Sequence, residues 1–216
     1  MIVGAGGHGR ELLDIVEAMR SSTAAYQFVG FLDDGVPDQH VLARRNAVVV
    51  GGLDRLASLD VRYLIGIGSP ETRRRIDTYA SSLGRRPAQA IHPAATLGVD
   101  VRLGPGAVIA AGARVTTNVS FGRHVHLNVN TTVSHDCVVG DYVILNPGAN
   151  VCGNAVLGDG VTIGTGATVI QGRKIGEGTV VGAGAVVVSD LPPGITAVGV
   201  PARPLAPKAG ARPVTG

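Results

Sequence analysis

A bulky apolar residue recurs at every sixth position through the second half of this 216-residue chain. The sixteen positions are Leu97, Leu103, Ile109, Val115, Phe121, Leu127, Val133, Val139, Leu145, Val151, Leu157, Ile163, Val169, Ile175, Val181 and Val187. A period of six fits neither an amphipathic helix nor an alternating strand, and it is typical of a parallel β-helix built from short strands. The residue four positions after each of these apolar residues is usually small, because the interior of such a tube is narrow. Arg173 departs from this pattern.

Three hexads form one triangular coil in the left-handed hexapeptide-repeat proteins, which this part of the chain resembles. The resemblance implies about five coils of eighteen residues, with Gly, Asn and Asp at the corners. Left-handed winding is opposite to the usual crossover between parallel strands, so it rests on the resemblance and not on a general rule.

Composition and charge narrow the classes of protein that fit. Aromatic residues make up 3% of the chain and there are 32 glycines, which suits thin stacked coils better than a sandwich or a helical bundle. The net charge is +3 and no aromatic residues interleave with the arginines, so no nucleic-acid partner is expected. Since there is no charged leader and no apolar run that could span a membrane, we expect a cytoplasmic protein without a membrane span. Cys137 and Cys152 lack the CxxC spacing of a zinc or redox site, and Cys137 is expected to be a buried thiol.

The amino-terminal part begins with a strand, a glycine turn and a helix. The turn GAGGHG matches GxGxxG at Gly4, Gly6 and Gly9, and a second strand ends at Asp33 and Asp34. This order is typical of a dinucleotide-binding oxidoreductase. However, such a domain needs about six strands, and the hexads begin before residue 100. A smaller Rossmann-like sheet that binds a mononucleotide fits the length better.

Other elements complete this small parallel α/β sheet. They are strands at residues 47–50, 62–67 and near 88–91, and helices near 53–59 and 70–83. Sheets of this kind bind ligands at the carboxyl ends of their strands. His8 in the glycine turn can reach such a ligand, and Gly68 lies in a second strand-to-helix junction at the same sheet edge.

One hexad of the repeat differs from the others. It places His135 beside Asp136 on an outward-facing stretch, and an imidazole is the usual base for an amine or hydroxyl nucleophile near neutral pH. With eighteen residues per coil, His135 stacks between Thr117 and Gly153, and Asn154 stacks on Asp136. The glycine is expected to leave an open notch whose N–H could stabilise an oxyanion.

The order of these motifs resembles one family over residues 1 to about 204. The segments GAGGHG, FLDD, LNVNTTVSHDCVVGD and GVPAR together resemble the bacterial sialic-acid O-acetyltransferases and nucleotide-amino-sugar N-acetyltransferases. The resemblance implies a Rossmann-like nucleotide-sugar-binding domain over residues 1–88, a left-handed β-helix acyltransferase domain over 89–204 and a flexible tail over 205–216. It also implies a homotrimer, with the cosubstrate acetyl-CoA along the β-helix between subunits.

The same resemblance implies roles for individual residues. His135 would be the general base and Asp136 its supporting acid. The residues expected to bind substrate are Gly6, His8, Gly9, Asp33, Asp34, Gly68 and Asn128, and those expected to bind acetyl-CoA are Gly153, Asn154, Thr165 and Ala183. Some relatives carry a histidine that contacts acetyl-CoA where this chain has Ile144, which is a departure at the thioester end.

The predicted function is transfer of the acetyl group of acetyl-CoA to the amine of a nucleotide-linked amino sugar, by direct attack with a histidine base. O-acetylation of a sugar hydroxyl, such as that of a sialic acid, would use the same residues and stays an alternative. Other hypotheses are a metal-dependent hydratase, since His124 and His126 are close to His135 in sequence, and a non-catalytic scaffold. The acetyltransferase is expected to need no metal.

Overall fold

The computed structural model describes residues 1–23 and 26–205, which form an α/β unit followed by a three-sided parallel β-helix of left-handed type. The predicted fold class is therefore confirmed. The tail predicted over residues 205–216 lies outside the described residues, apart from residue 205. Within the described residues, no helix combines the length and the apolar character that crossing a bilayer demands.

The α/β unit is built around a three-stranded parallel sheet. Its strands are β1 (Ile2–Val3), β2 (Phe31–Leu32) and β3 (Leu64–Ile65), in the order β2-β1-β3, and its helices are α1 (Gly7–Thr23), α2 (Gln39–Ala43) and α3 (Pro70–Ser82), with a 3₁₀ turn at Leu53–Ala57. Ser69 caps α3 by accepting the Thr72 N–H at 3.2 Å, and Pro70 stands at the first helical position, where its missing N–H is tolerated. The strand predicted over residues 47–50 is reduced to one bridge, between Val49 and Phe31.

Two glycines allow α1 to pack closely on the sheet. A Cβ on Gly9 would lie 1.9 Å from the carbonyl oxygen of Gly4, and one on Gly66 would lie 2.4 Å from the Cα of Gly9. The helix can therefore start directly beside the ends of β1 and β3 only because these positions have no side chain.

The β-helix has three faces, each a sheet of two- or three-residue strands. The first face contains β4 (Ala90–Ile91), β7 (Val108–Ile109), β10 (His126–Leu127), β13 (Ile144–Leu145), β16 (Thr162–Ile163), β19 (Val180–Val181), β21 (Thr196–Val198) and the antiparallel β22 (Arg203–Pro204). The second contains β5 (Thr96–Leu97), β8 (Arg114–Val115), β11 (Thr132–Val133), β14 (Asn150–Val151), β17 (Thr168–Val169) and β20 (Val186–Val187). The third contains β6 (Val101–Leu103), β9 (Val119–Phe121), β12 (Val138–Val139), β15 (Val156–Leu157) and β18 (Lys174–Ile175). We call the turns that leave the first, second and third faces the first, second and third corners.

The β-helix is longer than the predicted five coils. The strand predicted near residues 88–91 and assigned to the α/β sheet is β4, which instead pairs with β7 of the first face. The reason is that Ile91 lies six residues before Leu97 and continues the hexad register. At the other end, Val181 pairs with Ala197, sixteen rather than eighteen residues later, so the last coil is two residues short.

The hexad residues form the core of this tube. From Ile109 to Val187, every sixth residue is buried. Arg173, the exception in the row of small residues, reaches the surface, where its Nη1 lies 3.8 Å from Asp190 Oδ1. Cys137 is a buried thiol, as predicted. The periodic pattern thus accounts for the interior of the β-helix.

The α/β unit covers the first face of the β-helix. Leu12 and Ile15 of α1 share one buried cluster with Ala90 and Val108 of that face. Such burial contributes about 25 cal/mol for each Å² of apolar surface removed from water. The two parts of the chain therefore share a hydrophobic boundary, which orients the glycine turn toward the β-helix.

A polar network joins α3 to the third corner. Asp77 accepts hydrogen bonds from Tyr63 Oη at 2.5 Å, Tyr142 Oη at 2.6 Å and Arg123 Nη2 at 2.9 Å, and His124 Nε2 lies 2.9 Å from its Oδ1. Burial alone would raise the pKa of Asp77, but these partners lower it well below its usual range. The carboxylate is therefore charged and anchors both parts of the molecule.

Arg73, one turn earlier on α3, reinforces this contact. It is fully buried and donates to the carbonyl oxygens of Ile67 at 3.1 Å, Gly68 at 2.7 Å and Tyr142. Burial lowers the pKa of Arg73 to about 9. Since Tyr142 belongs to the third corner, this one side chain connects the end of β3 to the β-helix.

Candidate functional site

The second corner holds the predicted base. Asp136 adopts a left-handed φ of 58°, which turns its side chain toward the ring of His135, and Asp136 Oδ2 lies 2.8 Å from His135 Nδ1. Asn118, one coil earlier, donates to Asp136 Oδ1 at 3.2 Å. The bond from His135 and then that from Asn118 lower the pKa of Asp136. The carboxylate is thus ionised and held in place by two neighbours.

This contact fixes the tautomer of the imidazole. A carboxylate can only accept, so His135 carries a proton on Nδ1, and the neutral form of this ring has its lone pair at Nε2. A Cβ on Gly153 would lie 2.6 Å from that Nε2 and 2.5 Å from Cε1, which shows that the ring lies directly on the glycine. The open notch predicted at Gly153 is therefore wrong, because the imidazole itself covers the glycine, which is buried. The glycine is needed for space and not for its backbone conformation.

A cleft lies where α1 meets the first corner. This junction cleft has a volume of about 200 Å³ and is lined by His8, Glu11, His92, Asn128, Val129 and Pro147, among others. His8 Nδ1 lies 3.1 Å from Glu11 Oε2, and His8 Nε2 lies 2.9 Å from His126 Nδ1. The structure thus brings together two predicted substrate-binding residues, His8 and Asn128. Sequence reasoning missed Glu11, whose position one helical turn after the histidine was the available signal.

A second pocket, the strand-end pocket, lies at the carboxyl ends of β1 and β2. It measures about 270 Å³ and is lined by Gly4, Asp33, Asp34, Thr72 and Arg75, among others. Asp33 accepts the Ala5 N–H at 2.7 Å, and Asp34 accepts the Leu53 N–H at 2.8 Å. The backbone therefore orients both predicted carboxylates. Thr72 and Arg75 of α3 were not predicted.

The predicted glycines have different surroundings. A Cβ would meet nothing within 4 Å at Gly6 or at Gly68, so neither glycine is required for a close contact within the chain. Gly9 is buried and serves the close contact between α1 and β1 described above.

The base and the junction cleft of one chain lie on opposite sides of the β-helix. In a triangular coil the second corner is opposite the first face, and the α/β unit covers the first face. Thr165 and Ala183 are exposed at the first corner, whereas Asn154 is at the second corner with His135. Ile144 is buried on the first face as the strand partner of His126. One subunit therefore does not unite all the predicted residues.

The three histidines considered as metal ligands do not converge. His124 has a left-handed φ of 48° and its ring faces Asp77, whereas His126 contacts His8 and His135 lies at another corner. The extended chain that would align positions 124 and 126 is interrupted by this turn. In the part of the chain that the structure describes, no group of three or more His, Cys, Asp or Glu side chains could hold a metal ion.

Two family patterns match the sequence. The pattern described as PglD N-terminal domain matches residues 1–79, and that described as bacterial transferase hexapeptide (six repeats) matches residues 154–189. They correspond to the two structural parts of the chain, and the second matches only a portion of the β-helix.

Solved structures resemble the chain over almost its whole length. The acetyltransferase domain of PglB from Neisseria gonorrhoeae is 33% identical, with 94% of this chain and 98% of that chain covered and a TM-score of 0.86. The same domain has been solved in complex with acetyl coenzyme A. PerB from Caulobacter crescentus, in complex with CoA and GDP-perosamine, is 31% identical, with 95% and 96% covered and a TM-score of 0.86.

A curated protein matches over a shorter range. GDP-perosamine N-acetyltransferase of Escherichia coli is 34% identical over 145 residues, which span 63% of this chain and 62% of that protein. The match to the solved structures extends to nearly the full chain, at about one third identity. The resemblance inferred from the motifs is therefore confirmed, and the chain belongs to the family of bacterial nucleotide-amino-sugar N-acetyltransferases built on hexapeptide repeats.

Proposed function

We propose that the protein transfers the acetyl group of acetyl-CoA to the amine of a nucleotide-linked amino sugar, with His135 as general base. The observation that carries the proposal is the arrangement at the second corner, where Asp136 holds Nδ1 of His135 at 2.8 Å and leaves Nε2 as a base on the outer surface. The imidazole is 55% exposed in a single chain, so a substrate can approach it. Family membership supports the choice of acetyl-CoA as cosubstrate.

The residues of the second corner account for each proton transfer in the proposed reaction. His135 Nε2 takes a proton as the amine attacks the thioester carbonyl, so that a C–N bond forms. The C–S bond then breaks, and His135 returns the proton to the departing CoA sulfur. The imidazole covers Gly153 on the side where a Cβ would stand, but Gly153 N is bonded to no acceptor among the described residues. We propose this N–H as the donor to the oxygen of the tetrahedral intermediate. No covalent enzyme intermediate is required.

The α/β unit is the proposed holder of the nucleotide sugar. Asp33 and Asp34 of the strand-end pocket would contact the base or the ribose, because their carboxylates can accept N–H or O–H groups. The diphosphate would cross the turn at Gly6, near the amino terminus of α1. The sugar would then reach the junction cleft, where Asn128 lies. In this proposal residues 1–88 bind the nucleotide sugar and residues 89–204 carry the acyl transfer.

The proposal includes a homotrimer, because one chain separates the base from the sugar cleft. The second corner of one subunit must meet the first corner of another to complete a site. Gly153 and Asn154 of one copy would then hold acetyl-CoA together with Thr165 and Ala183 of its neighbour. Gly153 and Asn154 lie at the second corner, and Thr165 and Ala183 are exposed at the first corner. The cytoplasmic location predicted from the sequence stays a prediction.

The first experiment measures thiol release from acetyl-CoA with a panel of nucleotide-linked amino sugars. GDP-perosamine is the first acceptor to test, since it is bound in one relative and named in another. Thiol release with a product that carries an alkali-stable acetyl group supports N-acetylation. An alkali-labile acetyl ester would instead favour the O-acetyltransferase alternative, and no turnover with any acceptor would favour the scaffold.

A second experiment tests the shared site. In this proposal, an oligomer made only of His135→Ala subunits is inactive or impaired, and so is one made only of Asn128→Ala subunits. When the two are refolded together, mixed oligomers contain some sites with an intact base from one subunit and an intact cleft from another. Recovered activity is the expected result. No recovery, in mixtures shown to contain both chains, would contradict a site between subunits.

A further inference from the structure

A row of three ionisable side chains crosses the boundary between the α/β unit and the β-helix. Glu11 Oε2 lies 3.1 Å from His8 Nδ1, and His8 Nε2 lies 2.9 Å from His126 Nδ1. His126 is fully buried, and its Nε2 has no hydrogen-bond partner in the part of the chain that is described. Its strand neighbours on the first face are Val108 and Ile144. A buried imidazole between apolar residues, with one nitrogen unpaired, needs an explanation beyond packing.

The hydrogen-bonding capacity of these groups allows one neutral arrangement. The carboxylate of Glu11 only accepts, so His8 carries its proton on Nδ1. A neutral His8 then accepts at Nε2, and the hydrogen between the two rings belongs to His126 Nδ1. The unpaired Nε2 of His126 is therefore a lone pair and not an N–H group.

The surrounding charges favour neutral rings. Burial lowers the pKa of His8, although the hydrogen bond and the charge of Glu11 act in the opposite direction. Burial and then the guanidinium of Arg73 lower the pKa of His126 well below its usual range, and the charges of His8 and His124 act in the same direction. A proton on either ring would have to be accommodated next to Arg73 in a buried position.

We propose that His126 is a positioning residue, which holds His8 in its Nδ1-protonated form and in one ring orientation at the junction cleft. The inference rests on the proposed function, in which His8 contacts the nucleotide-linked amino sugar. His8 and Glu11 line the cleft together with Asn128, whereas His126 is fully buried and is not among the lining residues. His126 therefore acts on substrate binding through His8 and does not touch the reacting atoms.

The experiment compares two substitutions of the same residue. His126→Ile removes the donor but continues the apolar column of Val108 and Ile144, and His126→Asn retains an N–H group near the place of Nδ1. We expect His126→Ile to raise the KM for the nucleotide sugar by a factor of about 3 to 10, the worth of one hydrogen bond. The KM for acetyl-CoA and the kcat should not change, and His126→Asn should behave like the wild type. The exposed His40, changed to Asn, is the matched control.

A double variant tests whether the effect passes through His8. In a His8→Ala background the further change His126→Ile should leave the KM unchanged, because the group that it positions is already absent. An additional rise in KM there would overturn the proposal. So would a His126→Ile variant that changes both KM values and the melting temperature together, since that pattern indicates a structural role only.

Nitrogen NMR of protein labelled with ¹⁵N-histidine gives a readout that needs no substrate. In the wild type, His8 should show a protonated Nδ1 and an unprotonated Nε2. His126→Ile removes the donor to Nε2 and leaves Glu11 in place, so the fraction of His8 protonated at Nε2 should rise without becoming complete. An unchanged tautomer would overturn the proposal even if the enzyme is active. If no acceptor is acetylated by the wild type, the proposed function fails, but this spectrum still decides whether His126 controls His8.

Discussion

The two parts of the molecule position their functional residues in different ways. In the β-helix, His135 rests on Gly153 because the two positions are eighteen residues apart, and the same stacking recurs throughout the repeat. In the α/β unit, His8 is placed by single contacts with Glu11 and His126, the second of which is 118 residues away in sequence. The base thus depends on a local repeat, whereas the substrate cleft depends on long-range docking.

This difference predicts how each part responds to substitution. A change at the exposed second corner removes chemistry and leaves the buried hexad core intact. A change at the boundary between the parts acts on buried groups, so it alters the stability of the fold or the binding of the nucleotide sugar and not the transfer step itself. If corner substitutions lowered stability, or boundary substitutions affected only the transfer step, the two parts would not differ in how they position their functional residues.

The largest effect on stability is expected for Asp77→Ala. This change leaves Arg123 without its carboxylate and two buried tyrosines without an acceptor, and removing one partner of a buried pair costs about 3 to 5 kcal/mol. Urea unfolding measures the loss. The matched control is Asp60→Ala, an exposed carboxylate 3.6 Å from Arg85, for which we expect less than about 1 kcal/mol. Equal losses in both variants would show that the boundary network contributes little.

The largest effect on catalysis is expected for His135→Ala. Removing the general base should lower kcat on the order of a hundredfold or more. The unfolding midpoint should stay the same, because the side chain is exposed at a corner. His40→Ala, at an exposed histidine of the α/β unit, is the control and should retain full turnover. Activity of the His135 variant close to that of the wild type would contradict the mechanism.

Gly153→Ala should affect catalysis somewhat less. The new Cβ would lie 2.5 Å from His135 Cε1, so the ring must move away from its position beside Asp136. A misplaced catalytic group typically costs about ten- to a hundredfold in rate, and we expect a loss in that range with little change in stability. Gln171→Ala, one coil later at the same corner, is the control. If Gly153→Ala has full activity, the contact between ring and glycine is not important for catalysis.

Local repetition explains how much of the site could be predicted from the sequence. The six-residue hexad and the eighteen-residue coil were enough to predict that His135 lies beside Asp136 and stacks on Gly153. The predicted repeat began one hexad too late, at Leu97, and so it did not include Ile91. It also did not account for the last coil, which is two residues short. Periodicity therefore predicts interior contacts well and the ends of the repeat less well.

The contacts between the two parts could not be predicted in this way. Asp77 and Arg123 are separated by 46 residues, and His8 and His126 by 118, with no periodic relation that connects them. His126 was noted only as one of several possible metal ligands, since its partner on α1 is visible only when the helix is docked. Arg75 of the strand-end pocket was missed for the same reason, whereas Glu11 of the junction cleft, one helical turn after His8, had a local signal in the sequence.

The last effect that we predict is a loss of stability in mild acid. His8 and His126 have lowered pKa values when folded, so below their unfolded value of 6.5 the unfolded chain binds protons that the folded chain does not. The free energy of unfolding should therefore fall as the pH drops from 6.5 toward 5, by at most about 1.4 kcal/mol per pH unit for each histidine. Asp77, whose pKa is also lowered, contributes a separate loss only below about pH 4.

Urea unfolding at a series of pH values measures this dependence, and the His126→Ile variant identifies its source. Replacing the buried imidazole removes one of the two groups, so the fall between pH 6.5 and 5 should become shallower, whereas His40→Asn should retain the slope of the wild type. The isoleucine variant should also be at least as stable as the wild type at pH 5, because an apolar side chain there has no proton to bind. An unchanged slope in that variant would mean that His126 is not a source of the loss of stability in mild acid.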